Sequence, residues 1–126
     1  EIAMDILLVR ELQRLGLEVN YVVRGTPILN DATLEDAHIV GMDRVCRVIS
    51  SGVDSPGTLI NRCDPDFLAE LYATPTVISK GQGNFEALHG QVQDVFFGLK
   101  VKCPVVAQLT GYPLRTSVFD QMGKAS

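Results

Sequence analysis

The sequence lacks a basic excess. Eleven lysines and arginines stand against 15 aspartates and glutamates, for a formal charge of −4. Binding to nucleic acid or to acidic membranes in general needs a basic face, so neither partner is expected. There is no run of about 18 apolar residues, so no membrane-spanning helix is expected, and no secretory leader pattern is visible in the residues present. Cysteine is scarce: Cys46, Cys63 and Cys103 are odd in number, far apart and form no CxxC pair. They read as reduced, mostly buried thiols of a cytoplasmic protein. The minority alternative is a catalytic cysteine, with Cys103 its best candidate because lysines precede it and a nearby cation favours the thiolate. Internal repeats and low-complexity stretches are also absent.

What is present is an ordinary globular balance. Hydrophobic residues make up 46% and charged residues 21% of 126 residues, which argues against disorder and fits one compact domain over residues 1–126. A chain of this size buries roughly two-thirds of its unfolded surface and needs no disulfide or structural metal to fold. From Glu1 to Leu15, helical spacing puts Met4, Leu8, Leu12 and Leu15 on one face, with Gly16 as a C-cap. Four short runs rich in Val, Ile, Phe and Tyr follow: Val19 to Val23, Val45 to Ser50, Thr76 to Ser79 and Val95 to Val101. They lack clean polar alternation, as buried parallel strands do. Helical stretches are expected at Ala32 to Met42, Pro65 to Tyr72, Phe85 to His89 and Pro104 to Leu109, and an edge strand around Arg115 to Phe119. The alternation predicts an α/β fold, a three-layer α/β/α sandwich with a mostly parallel, Rossmann-like sheet.

In open parallel sheets, ligands bind beyond the carboxyl ends of the strands. All four ends here carry glycines, small hydroxyls, carboxamides or cations. They are Arg24-Gly25 with Asn30-Asp31, Ser51-Gly52 with Gly57-Thr58, Lys80-Gly81-Gln82-Gly83-Asn84, and Lys100 with Lys102. Asp31 is the best metal-ligand candidate, since a hard cation takes one or two carboxylates plus waters and phosphate oxygens. From spacing alone the plainer reading is the N-cap of the following helix, since Asp is favoured there. Thr33-x-x-Asp36 resembles a capping box with Asp in place of Glu. Lys80 before two glycines suits a loop whose backbone approaches an anion, or simply a tight turn with a solvated lysine. Neither a dinucleotide fingerprint nor a Walker A loop fits, because the third glycine is missing and the lysine precedes the glycines. Asn84 is a candidate cap for the Phe85 to His89 helix. Gly57-Thr58 is either an anion-binding helix start or a plain turn. His38 and His89 have no partner of ligand type at useful spacing and read as structural.

Taken together, Arg24-Gly25-x-Pro27-Ile28-Leu29-Asn30-Asp31-Ala32-Thr33-x-x-Asp36-Ala37, Ser51-Gly52-x-Asp54-x-Pro56-Gly57, Lys80-Gly81-Gln82-Gly83-Asn84-Phe85-Glu86 and Lys102-Cys103-Pro104 closely resemble the DUF89 family, the metal-dependent damage-control phosphatases also called ARMT1-like. The glutamine-containing motif looks most like the prokaryotic and archaeal branch. The resemblance implies a divalent metal (Mg, Mn, Co or Ni) held by an upstream Asp-Asn pair and by Asp31, with Asn30 beside it as a further candidate. It implies substrate contacts from the Gly81 to Glu86 segment and a phosphate contact from Lys102; Lys80 and Ser51-Gly52 are further substrate-binding candidates from their place at the strand ends. Asp36 is a candidate general base, with capping as its alternative. Glu1 reads as the last residue of the family's Asp-Asn-x-Gly-Glu motif. The expected ligand pair would then precede residue 1, and this chain would be the carboxyl-terminal part of a longer protein, packing against an amino-terminal region. Leu99-Lys100-Val101-Lys102 stands where the eukaryotic branch has Arg-Thr-x-Lys, so no methyltransferase role is implied. The expected function is metal-dependent hydrolysis of small phosphorylated metabolites. The alternatives are a non-catalytic phosphometabolite or nucleotide-binding module and a purely structural interaction module.

Overall fold

A computed structural model describes residues 2–28 and 31–122, so the candidate ligand Asn30 and the motif residue Glu1 lie outside the described residues. The chain divides into two compact units, Glu1–Ser55 and Pro56–Ser126. Each is organised around its own small sheet.

In the first unit, helix α1 (Ile2–Arg14) precedes strand β1 (Asn20–Val23), helix α2 (Leu34–Val40), a 3-10 turn at Met42–Arg44 and strand β2 (Arg47–Ser50). The two strands pair in parallel, from Asn20 opposite Arg47 to Val23 opposite Ser50. Ile2, Val9, Val23, Ala37 and Met42 form the core, with Ile6, Val19, Tyr21 and Val48 packed against it. The expected buried stripe of α1 is corrected. Met4 is 69% exposed and Leu15 63%, while Ile2, Asp5 and Val9 face inward. This helix carries two apolar stripes, and packing selects the one that holds a carboxylate. The Tyr21 hydroxyl on β1 donates to Asp5 Oδ2, which removes the penalty of burying that group. Helix α2 is shorter than expected because Thr33 is its N-cap and Gly41, at φ 84°, its C-cap.

In the second unit come a 3-10 turn at Ile60–Arg62, α3 (Pro65–Ala73), β3 (Val77–Lys80), α4 (Gln82–Leu88), β4 (Val95–Lys100), α5 (Pro104–Thr110) and β5 (Ser117–Gln121). Strands β3 and β4 are parallel. Val95, Phe97 and Leu99 alternate inward along β4, and Phe85 from α4 meets Phe97 edge-on at 5.1 Å between ring centroids. The expected edge strand is present as β5 and runs antiparallel to β4. Its direction follows from the excursion through α5. Val101 N–H donates to Thr116 O at 2.9 Å and Arg115 N–H to Val101 O at 2.7 Å. These bonds tie the two ends of the excursion together, so the chain re-enters at the end it left.

The fold is thus mixed α/β, with five helices and two small sheets among the described residues. Parallel pairing holds for β1 with β2 and for β3 with β4, and the expected single parallel sheet is here two sheets, one of them mixed. Among the described residues, no helix is long and apolar enough to cross a membrane.

Candidate functional site

At the carboxyl ends of β1 and β2, the strand ladder continues into the loops. Ser51 N–H donates to Val23 O and Gly25 N–H to Val53 O, both at 3.0 Å. A Cβ on Gly25 would lie 2.6 Å from the Gly52 carbonyl carbon, so this approach requires glycine. Ser51 is fully buried, and its hydroxyl accepts the Val53 N–H at 3.3 Å. It is turned in on its own loop, and Gly52 contributes a closely packed backbone. Asp31 lies on the loop after β1. Its Oδ2 accepts the Arg24 Nε–H at 3.1 Å, with the Arg24 side chain 9% and the Asp31 side chain 39% exposed. Arg24 N–H also donates to Ala32 O at 2.9 Å. A buried guanidinium therefore holds a half-exposed carboxylate at the strand end.

Asp31 is not the N-cap of α2. Thr33 is, and it forms a complete capping box with Asp36. Asp36 Oδ2 accepts both the Thr33 N–H at 2.9 Å and the Thr33 hydroxyl at 3.0 Å, so this carboxylate is engaged in closing the helix start. His38, read from sequence as without an acidic partner, has one. Its Nδ1 lies 2.7 Å from Asp43 Oδ2 on the exposed surface. The His38 contact holds the Asp43 carboxyl below the usual carboxylate range.

In the second unit, β3 ends at Lys80 and the chain turns at Gly81, with φ 90°, directly into α4. This corrects the expected loop: Gln82, Gly83 and Asn84 are the first turn of the helix, and Asn84 does not cap it. Gly81 N–H is taken by Gly98 O at 2.8 Å. Asn84 spans two segments instead. Its Nδ2 donates to Lys80 O at 2.9 Å, and its Oδ1 accepts the Thr58 N–H at 3.0 Å and the Thr58 hydroxyl at 2.8 Å. The loop at Gly57 packs directly on this turn, since a Cβ there would lie 2.6 Å from Gly83 O. Gln82 links forward to the end of β4. Its Oε1 accepts the Lys102 N–H at 2.8 Å, and its Nε2 donates to Glu86 Oε1 at 2.9 Å and approaches Cys103 Sγ at 3.7 Å. Lys80 and Lys102 are both exposed.

The donor chemistry fits a hard divalent cation in kind, because Asp31 presents a half-exposed carboxylate on a strand-end loop. It supplies one donor. Among the described residues, no three His, Cys, Asp or Glu side chains converge on a common point. In the second unit, exposed lysines stand at the end of β3 (Lys80), at the end of β4 (Lys100) and two residues beyond it (Lys102), and carboxamides bond to the backbone at Lys80 and Lys102. The sequence reading placed Arg24 on the rim without a partner and read Gly57-Thr58 as an anion-binding helix start or a turn, and it foresaw neither the Arg24 contact with Asp31 nor the Thr58 contact with Asn84. A buried arginine needs a counter-charge, and Asp31 seven residues on was the signal for it. The Thr58 contact spans 26 positions and left no local trace. A cleft of about 500 Å³ lined by Leu71, Thr74, Gln91 and Asp94 lies at the opposite, amino-terminal end of β3 and β4 and includes none of these residues.

Three comparisons bear on identity. The family model for the damage-control phosphatase ARMT1-like domain matches residues 1–118. The chain is 37% identical over 123 residues to an uncharacterised protein of Methanocaldococcus jannaschii, covering 94% of this chain and 40% of that protein. It is 36% identical over 107 residues to a damage-control phosphatase of Pyrococcus horikoshii, covering 82% and 37%. A damage-control phosphatase of Archaeoglobus fulgidus is 32% identical over 113 residues, with coverage of 88% and 39%. The crystal structure of a DUF89 family protein from Pyrococcus horikoshii superposes with a TM-score of 0.86 at 33% identity, covering 93% of this chain and 42% of that one. The chain spans about two-fifths of the length of these relatives. With its motifs in the family's order and its fold in the family's form, the chain belongs to the ARMT1-like, DUF89 family of damage-control phosphatases.

Proposed function

We propose that the protein carrying this chain is a metal-dependent phosphatase that hydrolyses phosphomonoesters of small metabolites, with sugar phosphates or damaged phosphometabolites as the substrate class. The observation that carries this reading is the family match over residues 1–118, with relatives named damage-control phosphatases. The second unit supports it with two cations, Lys80 at the end of β3 and Lys102 two residues beyond the end of β4, its parallel neighbour. In this reading both ammonium groups face phosphoryl oxygens and offset the charge that spreads over them during transfer. Asp31 is one oxygen ligand for Mg, Mn, Co or Ni, with Asn30 as a neighbouring candidate. When bound, the cation would act as a Lewis acid and lower the pKa of a bound water. Arg24 fixes the direction of the Asp31 carboxylate. Asp36 serves α2 through its capping box and is left out of the proton transfer. The remaining ligands and pocket walls come from chain outside these residues, against which this one packs. An odd number of well-separated cysteines fits a reducing, cytoplasmic setting.

The test is phosphate release by the complete protein from a panel of sugar phosphates, with and without each metal. Asp31→Asn is the informative variant, because it keeps an oxygen acceptor for the Arg24 Nε–H while removing the charge. Metal-dependent release that falls at least tenfold in Asp31→Asn is expected. Unchanged release at saturating metal would overturn Asp31 as a ligand. Tight binding of phosphorylated compounds without release would favour a non-catalytic phosphometabolite or nucleotide-binding module. The lack of three converging ligands among the described residues is the observation on that side.

A further inference from the structure

Resting on that reading, we propose that Gln82 is a positioning residue for Lys102 and that its own side chain makes no contact with the phosphoryl group. A carboxamide has one acceptor oxygen and an amino group with two donor hydrogens. In Gln82 all of these are engaged inside the protein. Oε1 accepts the Lys102 N–H at 2.8 Å, and Nε2 donates to Glu86 Oε1 at 2.9 Å and reaches Cys103 Sγ at 3.7 Å. The Lys102 N–H sets the orientation of the amide. It only donates, so the oxygen must face it, which turns the amino group toward Glu86 Oε1.

The position of Lys102 explains why such a brace is needed. The β4 ladder ends at Lys100, and the Val101 N–H is taken by Thr116 O. Lys102 is the first residue past that support, and its N–H goes to Gln82. Gln82 lies two residues after Lys80 and opens α4. It therefore ties the backbone beneath one lysine to the turn that follows the other. Fixing the backbone of a long, flexible side chain lowers the ordering cost that the lysine meets when it engages an anion.

The experiment measures equilibrium binding of inorganic phosphate to the complete protein by calorimetry. Lys102→Ala is expected to weaken binding roughly tenfold, and Gln82→Met, which keeps the length and removes the polar groups, by a similar factor. If Gln82 acts only through Lys102, the double variant binds no more weakly than Lys102→Ala alone. The paired exchange Gln82→Glu with Glu86→Gln keeps the net charge, returns an acceptor to the Lys102 N–H and restores a donor from position 86. It is expected to recover most of the affinity, which a loss of folding in Gln82→Met could not mimic. Additive losses in the double variant, or full affinity in Gln82→Met, would overturn the positioning role and leave the phosphatase reading standing. Full affinity in Lys102→Ala would overturn the positioning role together with the Lys102 phosphate contact, whereas failure of the phosphatase reading itself would show as no phosphate release with any metal.

Discussion

Arg115 sits at φ 71°, one of two non-glycine residues in the left-handed region among those described, the other being Asp94 at φ 58°. Its backbone N–H is bound to Val101 O at 2.7 Å, and that bond holds the chain in a conformation a branched Cα resists. The strain is of the order of 1 kcal/mol. Arg115→Gly is therefore expected to stabilise the protein by roughly 0.5–1 kcal/mol, read as a higher urea midpoint at unchanged slope. Asp94→Gly is expected to gain nothing. Aspartate tolerates this region better, and the substitution removes the bond from Gln121 Nε2 to Asp94 Oδ1 at 3.3 Å. At the same scale the cysteines are half-buried, and burial pushes the Cys46 thiol up, which matches an inert thiol at that position better than a reactive one.

Among the elements, α4 does most to organise the second unit's rim. Asn84 in its first turn bonds to the Lys80 carbonyl and twice to Thr58, 26 positions away. Asn84→Ala removes three hydrogen bonds in a half-buried place, and a loss of about 1–3 kcal/mol is expected in chemical denaturation. Thr33→Ala, which opens the exposed capping box of α2, is the comparison and costs about 1 kcal/mol. A loss at Asn84 clearly smaller than that at Thr33 would show that the bridge to Thr58 is dispensable. Helix α1 teaches a different lesson. Its amphipathic period was legible, but two stripes satisfied it, and only the Tyr21 partner for Asp5 identified the inward one.

For the whole molecule, the stability at high pH carries a contribution from the raised Cys46 thiol and another, easier to isolate, from Tyr112. The Tyr112 hydroxyl donates to Asp120 Oδ2 at 2.9 Å, and this bond, with the nearby negative charge, raises the Tyr112 pKa above the ordinary tyrosine range. A group raised on folding stabilises the fold while it is protonated. That contribution is complete below the unfolded value, near 10, and is lost as pH rises through the folded value. Denaturation midpoints should fall as pH climbs past about 10, and Tyr112→Phe should remove this part of the fall. An identical profile in Tyr112→Phe would count against it.

The sequence by itself determined the order and type of nearly every element, because periodicity, caps and glycine turns act over a few residues. It also carried the likeness to the family whose model matches residues 1–118. What the tertiary structure decided depends on partners distant in the chain. It chose the buried stripe of α1 and gave Asp31 a buried arginine. It drew the start of α4 back to Gln82, because one left-handed glycine completes the turn from β3. It ran β5 antiparallel, because the bonds at Val101 return the chain to the end it left. Finally, it placed Gln82 and Asn84 in the framework that holds the rim. A carboxamide in a motif shows what it can bond to, and only the packed chain shows that its bonds are already made.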